Sequence, residues 1–260
     1  MNKNTTALKI KKILVSQPKP ENDKSPYFEF AEKNNLKVDF RPFIKVEGVE
    51  GKEFRQKRIN INDHTAVIFT SRTAIDHFFR ICEELRVNVP DTMKYFCVSE
   101  SVALYLQKYI VYRKRKIFFG NNNFKNLVEQ DIVKHSSEKF LLPLSDIHKP
   151  EIPRVLDKNK IKYSKAIMYR TVSSDLSDLS DVNYDILVFY SPSGIRSLFH
   201  NFPEFEQNNT KIACFGPATA RAVKKAGLKL DIHAPTTETP SMTMALDKYV
   251  REFNRNNNKK

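Results

Sequence analysis

Glycine is scarce in this chain of 260 residues, which has only six. They stand at Gly48, Gly51, Gly120, Gly194, Gly216 and Gly227, and nowhere complete a G-x-G-x-x-G or G-x-x-x-x-G-K pattern. Such loops need glycine because only a residue without Cβ lets the backbone close on a phosphate. Rossmann dinucleotide and P-loop nucleotide enzymes are therefore not expected. Cysteine is scarcer still. Cys82, Cys97 and Cys214 are too few and too far apart for a disulfide framework, and each lies in an apolar segment. They read as buried free thiols of a reducing compartment. No apolar run approaches the ~20 residues of a membrane span. The opening MNKNTTALKIKK has no apolar core of the kind a secretion signal carries. A soluble, cytoplasmic protein that no segment carries across a membrane is expected. The six histidines show neither H-x-x-x-H nor H-x-H spacing, so no metal site is expected. A G-x-S-x-G nucleophile elbow is missing as well.

What the chain does have is positive charge. Lys and Arg number 44 against 30 Asp and Glu, a formal net charge of +14. Such an excess implies an anionic partner more strongly than it implies any fold. Nucleic acid, a membrane surface and a polycarboxylate all stay open on charge alone. The densest basic run is Arg113-Lys114-Arg115-Lys116, with Tyr109 and Tyr112 before it and Phe118 and Phe119 after it. It reads either as an RNA contact or as a charged strand edge, and no RNA or DNA module surrounds it.

Apolar runs of four to six residues alternate with amphipathic stretches of ten or more, which is the pattern of an α/β fold. Strands are expected at 12–17, 65–71, 94–99, 116–120, 139–146, 185–191, 211–216 and 228–235. Helices are expected at 25–35, 72–85, 100–109, 123–135, 150–160, 192–202, 217–227 and 240–253. Ser25 is placed to cap the first of these helices, with Pro26 in its first turn. Two long extended segments cover 37–48 and 163–172. Residues 173–183 read as a polar loop or short helix. The first eight residues and 254–260 are polar and read as disordered.

The chain also repeats itself. TAVIFTSRTAIDHFF (65–79) aligns with DILVFYSPSGIRSLF (185–199), and KYFCVSESVALYL (94–106) with KIACFGPATARAV (211–223). Two similar α/β domains with parallel sheets follow, flavodoxin-like or Rossmann-like in architecture. The extended segments flank residues 49–160, so the chain leaves one domain along the first and returns along the second. The expected division is residues 1–39 with 173–260, and 40–172 inserted. The two crossings would form a two-stranded linker with a cleft between the domains.

Open α/β sheets bind ligands at the carboxyl ends of their strands. Five loops fall there: Ser16-Gln17-Pro18, Thr70-Ser71-Arg72, Ser99-Glu100-Ser101, Ser191-Pro192-Ser193-Gly194 and Gly216-Pro217-Ala218-Thr219. Nearly all are small or hydroxylic, and most open a helix, where free amides attract carboxylates and phosphates. The competing reading is that the hydroxyls only cap helices. Tyr169, near the end of the return segment, reads either as a donor of a proton or hydrogen bond to a ligand, or as a packed ring.

FTSRTAI, then IMYRT between the halves, then FYSPSGI and GPATARAVKKAG, in that order, resemble the uroporphyrinogen-III synthase family. The likeness runs from the KILVSQP strand to the last helix. It implies two α/β domains on a two-stranded linker. It implies cyclisation of hydroxymethylbilane, a linear tetrapyrrole with eight carboxylates, to uroporphyrinogen III with inversion of ring D and loss of water. No metal or organic cofactor is implied. By this resemblance Tyr169 protonates the leaving hydroxyl. Substrate-binding residues would be Ser16, Thr70, Ser71, Arg72, Ser99, Ser191, Pro192, Ser193, Gly194, Gly216, Pro217 and Thr219. The protein would act as a monomer, with transient contact to bilane synthase and none to nucleic acid.

Two loops depart from the family pattern. Val102 stands where a hydroxyl is expected, beside Glu100, and Gln17 stands where an arginine is common. Three readings follow: the synthase, a non-catalytic tetrapyrrole-binding or regulatory homologue, and a basic RNA-binding protein using residues 108–116.

Overall fold

The computed structural model describes residues 9–179 and 182–257. The chain divides into two compact units, one of residues 1–45 with 172–260 and one of 46–171.

The first unit holds a five-stranded sheet. Its strands are β1 (Lys12–Val15), β2 (Lys37–Phe40), β9 (Ile186–Phe189), β10 (Lys211–Phe215) and β11 (Leu230–Ala234). They lie in the order β2-β1-β9-β10-β11, and every neighbouring pair is parallel. The inner strands β1, β9 and β10 are buried on both faces, which is why they read as near-continuous apolar runs, whereas the edge strands β2 and β11 carry polar residues. Side chains alternate between the faces. Ile13, Val15, Ile186 and Val188 face helices α1 (Pro26–Asn34) and α9 (Met242–Asn257). Leu14, Leu187, Phe189, Ile212 and Cys214 face α7 (Pro192–Asn201) and α8 (Pro217–Lys225).

The second unit holds six strands: β3 (Ile44–Gly48), β4 (Ala66–Phe69), β5 (Lys94–Cys97), β6 (Ile117–Phe119), β7 (Phe140–Ser145) and β8 (Tyr163–Ser173). Their order is β3-β8-β7-β4-β5-β6, parallel from β8 to β6. On one face Val67, Phe69, Tyr95 and Cys97 pack with Ile75 and Phe78 of α3 (Arg72–Leu85). On the other, Ala66, Ile68, Phe96 and Leu142 pack with Leu127 of α5 (Phe124–Leu127) and Leu156 of α6 (Glu151–Lys158). The remaining helices are α2 (Gly51–Gln56) and α4 (Glu100–Tyr105). All three thiols are buried in these cores.

The two sheets share one plan, circularly permuted. In the first unit the inner strand β1 and its edge neighbour β2 come before the repeated β9-α7-β10-α8 segment. In the second, β7 and β8 follow the repeated β4-α3-β5-α4 segment but take the same places in the sheet. Each sheet therefore has its order reversal between a first strand, β1 or β7, and the strand that opens the repeat, β9 or β4.

Several expectations need correction. The segment 37–48 is two strands in different sheets, because Pro42 falls between them and has no N–H for a ladder. Ser25 occupies the N-cap of α1 without a side-chain hydrogen bond. The helix expected over 123–135 is one α turn, a π turn at Val128–Ile132 and a 3₁₀ turn at Val133–His135. Residues 254–257 are helical, not disordered. Leu246 and Val250 carry the buried stripe of α9 onward, and the Asn254 side chain accepts the Ile10 amide at 3.2 Å. The first eight residues and 258–260, also read as disordered, lie outside the described residues.

Candidate active site

In a parallel sheet the crevice at the order reversal, beyond the carboxyl ends of the strands, is the favoured place for a ligand. In the second unit that crevice is a cavity of about 450 Å³. It is lined by Thr70 and Ser71 after β4, Ser145 at the end of β7 and His148 beyond it, Asn122 after β6, and Tyr169 on β8. Larger hollows of about 860 and 540 Å³ lie at the other ends of the strands, beside Lys9, Asp185 and Lys211 and beside Met93 and Lys116. Position in the sheet, rather than size, favours the smaller one.

Ser71 is the N-cap of α3, and its Oγ accepts the Ala74 amide at 3.1 Å. The same oxygen lies 3.4 Å from the phenol oxygen of Tyr169. Capping uses a lone pair of the serine and leaves its proton free. A bond donated by Ser71 thus leaves the Tyr169 proton available. Tyr169 is 8% exposed. Burial raises its pKa above the ordinary tyrosine value, partly offset by the Ser71 hydrogen bond. The phenol therefore stays protonated at neutral pH.

Sequence reading missed the loop after β7. Its signal was present: KILVS and LLPLS are both buried strands ending in serine, and the permutation gives Ser145 the place of Ser16. The Ser145 hydroxyl donates to Asp146, whose carboxylate also accepts the Thr171 amide at 3.0 Å. His148 Nδ1 lies 2.8 Å from the Ser145 carbonyl. A proton on Nδ1 satisfies that contact and leaves Nε2 as an acceptor. His77 was missed too. Its ring stacks on that of Tyr169, with centroids 4.9 Å apart and planes 14° apart.

In the first unit the equivalent crevice gathers Ser16, Ser191 and Gly194. A Cβ built on Gly194 would lie 3.6 Å from the Ser16 hydroxyl and 3.9 Å from that of Ser191. Ser191 caps α7 through the Gly194 amide at 3.2 Å, and Pro192 holds the first turn. Ser193 is buried and accepts from Arg196 at 2.8 Å.

Other expected residues stand apart from these two groups. Arg72 lays its guanidinium over the Tyr105 ring at 5.5 Å and does not line the cavity. Ser99 is buried and caps α4 through the Val102 amide at 3.4 Å. Gly216 opens α8 at φ +84°, with no side-chain cap, ahead of Pro217. Thr219 is 2% exposed and Val102, its counterpart in the repeat, 7%. Both are buried, so Val102 loses no exposed hydroxyl. The capping reading holds for Ser71, Ser99 and Ser191; the Ser71 hydroxyl also meets Tyr169, and the Ser99 hydroxyl also meets that of Ser101 at 3.1 Å. In the basic run, Arg113 lies 3.7 Å from Asp91, and Lys114–Lys116 form a 3₁₀ turn.

Comparison with known proteins points one way. The family model described as uroporphyrinogen-III synthase HemD matches residues 26–244. A uroporphyrinogen-III synthase of Chlorobaculum parvum is 23% identical over 256 residues, covering 91% of this chain and 98% of that one. The crystal structure of uroporphyrinogen-III synthetase from Helicobacter pylori superposes with a TM-score of 0.59 at 17% identity, covering 94% of this chain and all of that one. A mutant uroporphyrinogen III synthase from Thermus thermophilus gives 0.50 at 15% identity, with 94% and 99% covered. At these identities the two structures speak for the fold.

Proposed function

Because the chain belongs to the uroporphyrinogen-III synthase family, we propose that it cyclises hydroxymethylbilane to uroporphyrinogen III, with Tyr169 as the proton donor. The observation that carries the assignment of Tyr169 is its protonated phenol in the β4/β7 crevice, 3.4 Å from the Ser71 hydroxyl.

The chemistry fits a site without a strong nucleophile. A pyrrole nitrogen pushes electrons toward the hydroxymethyl carbon as the C–O bond breaks. The departing hydroxide takes the Tyr169 proton and leaves as water, giving an azafulvenium electrophile. Ring D attacks through its substituted carbon, and the spiro intermediate fragments and recloses inverted. Reclosure releases a proton from the newly bonded pyrrole carbon, which restores the phenol in the overall balance. The bilane also closes unaided without inversion, so the protein's task is to hold the fold of substrate that favours spiro attack.

In this reading the groups offered to carboxylates are Ser16, Ser191, Pro192, Ser193, Gly194, Gly216, Pro217 and Thr219 in the first unit and Thr70, Ser71, Arg72 and Ser99 in the second. Thr219 and Ser99, being buried, would act through the amides of their helix starts. The net charge of +14 steers a polyanion toward the protein. The reading includes action as a monomer in the cytoplasm, on substrate handed over by transient contact with bilane synthase, with no cofactor and no nucleic acid.

The test is the loss of hydroxymethylbilane, followed in time with and without the protein. Loss that accelerates in proportion to protein concentration supports the reading. Loss at the spontaneous rate, even at stoichiometric protein, overturns it.

A further inference from the structure

Helix α3 reaches Tyr169 in three ways. Ser71, at its start, meets the hydroxyl. His77, nearly two turns on, stacks on the ring. Arg80, one turn further, grips the backbone beside it: its Nη2 donates to the Met168 carbonyl at 3.3 Å and to the Val49 carbonyl at 2.7 Å. Arg80 also ties the last two together, because its Nε donates to His77 Nδ1 at 3.2 Å. Its Nη1 pairs with Glu84, whose other oxygen accepts the Gly51 amide at 2.7 Å. Gly48 makes room for the guanidinium, since a Cβ there would lie 2.6 Å from the guanidinium carbon.

We propose that His77 and Arg80 are positioning residues for the Tyr169 phenol, holding its ring flat against the imidazole so that the hydroxyl stays at Ser71 and in the cavity. The proposal rests on Tyr169 being the proton donor. A phenol on a strand has two free torsions, and a proton donor misplaced by about 1 Å loses much of its effect. A stacked partner fixes the ring plane without competing for the hydroxyl.

The arrangement needs a neutral imidazole. Nδ1 accepts a hydrogen bond only while it carries a lone pair. The charged groups around it are Arg80, Asp76 and Glu84 on its own helix; the titratable group facing it is the neutral Tyr169 phenol on β8. Asp76 is engaged by the Tyr105 and Tyr109 hydroxyls and by Lys108. Burial first, and then Arg80, hold His77 below the ordinary histidine pKa, against the smaller pull of Asp76 and Glu84. Protonation at acid pH would evict the Arg80 Nε–H and set two cations face to face. The clamp is closed at neutral pH and opens as pH falls through the depressed His77 value.

Two variants and two readouts test this. His77→Phe keeps the stack and removes the titrating nitrogen, and His77→Ala removes both. His77→Ala is expected to lower kcat about tenfold with KM within about twofold, and to lower it no further in a Tyr169→Phe background. His77→Phe is expected to restore most of kcat and to move the acid limb of the kcat profile to lower pH. The second readout needs no turnover: the Tyr169 ring-proton resonances, assigned by their absence in Tyr169→Phe, should carry a ring-current shift that His77→Ala abolishes. An active protein whose His77→Ala variant keeps its kcat, or loses as much in the Tyr169→Phe background, overturns the positioning role alone. An inactive wild-type protein with its ring-current shift intact overturns the proton-donor reading and this one with it.

Discussion

The Ser71 hydroxyl accepts the Ala74 amide at 3.1 Å and stands 3.4 Å from the Tyr169 phenol. One oxygen thereby joins the start of a helix to a buried, protonated tyrosine. Its two roles separate in mutants.

Ser71→Ala is expected to cost about 1 kcal/mol of stability, the usual loss for an N-cap. It should also lower kcat, because the phenol loses its partner. Urea unfolding and steady-state kinetics on the same variant measure the two effects. Full stability would remove the cap, and unchanged kcat would remove the link to Tyr169.

Tyr169→Phe is expected to reduce kcat near the lower end of the ~10²–10⁴-fold range for general acids, since water can stand in as donor. The fold should be kept, as judged by near-ultraviolet circular dichroism and thermal midpoint. Wild-type turnover in this variant would take the acid role away from Tyr169.

Gly216 sits at φ +84° and ψ 154°, a region essentially reserved for glycine, and its backbone N–H donates to the Ala234 carbonyl. A Cβ there meets nothing within 4 Å, so strain alone opposes a side chain. Gly216→Ala should lose about 1–3 kcal/mol and weaken substrate binding through the displaced start of α8. A variant as stable as wild type would show that the loop relaxes freely.

Burial raises the pKa of Cys82 and Cys97 to about 12 and that of Cys214 to about 11. The unfolded thiols titrate near 8.5. Above that pH the unfolded chain binds fewer protons than the folded one, so stability falls as pH rises toward the folded values. Denaturant midpoints at pH 7.5 and 10 check this: a lower midpoint at pH 10 is expected, and equal midpoints contradict it.

Much of this was legible in the residues, and the gaps have physical causes. The helix over 72–85 was readable end to end, because a capping serine precedes an amphipathic stripe. The site at the second-unit crevice was read only by half. The internal repeat pointed to Thr70 and Ser71, but the loop carrying Ser145 and His148 comes from β7, which the permutation moves to the far side of the repeat. His77 and Arg80 looked like ordinary helix-surface residues, because nothing local marks a partner on a strand some ninety residues away. Arg72 was placed with its loop by adjacency, yet its side chain turns to Tyr105. The hydroxylic loops also did not reveal which serines were spoken for, since a cap depends on backbone geometry that serine alone does not specify.

The most direct test of the central claim is the isomer made when this protein is coupled to bilane synthase and the porphyrinogens are oxidised and separated. The account predicts that isomer III replaces isomer I as protein is added, and that Tyr169→Phe needs much more protein to reach the same ratio. Isomer I alone, at protein equal to substrate, would contradict it.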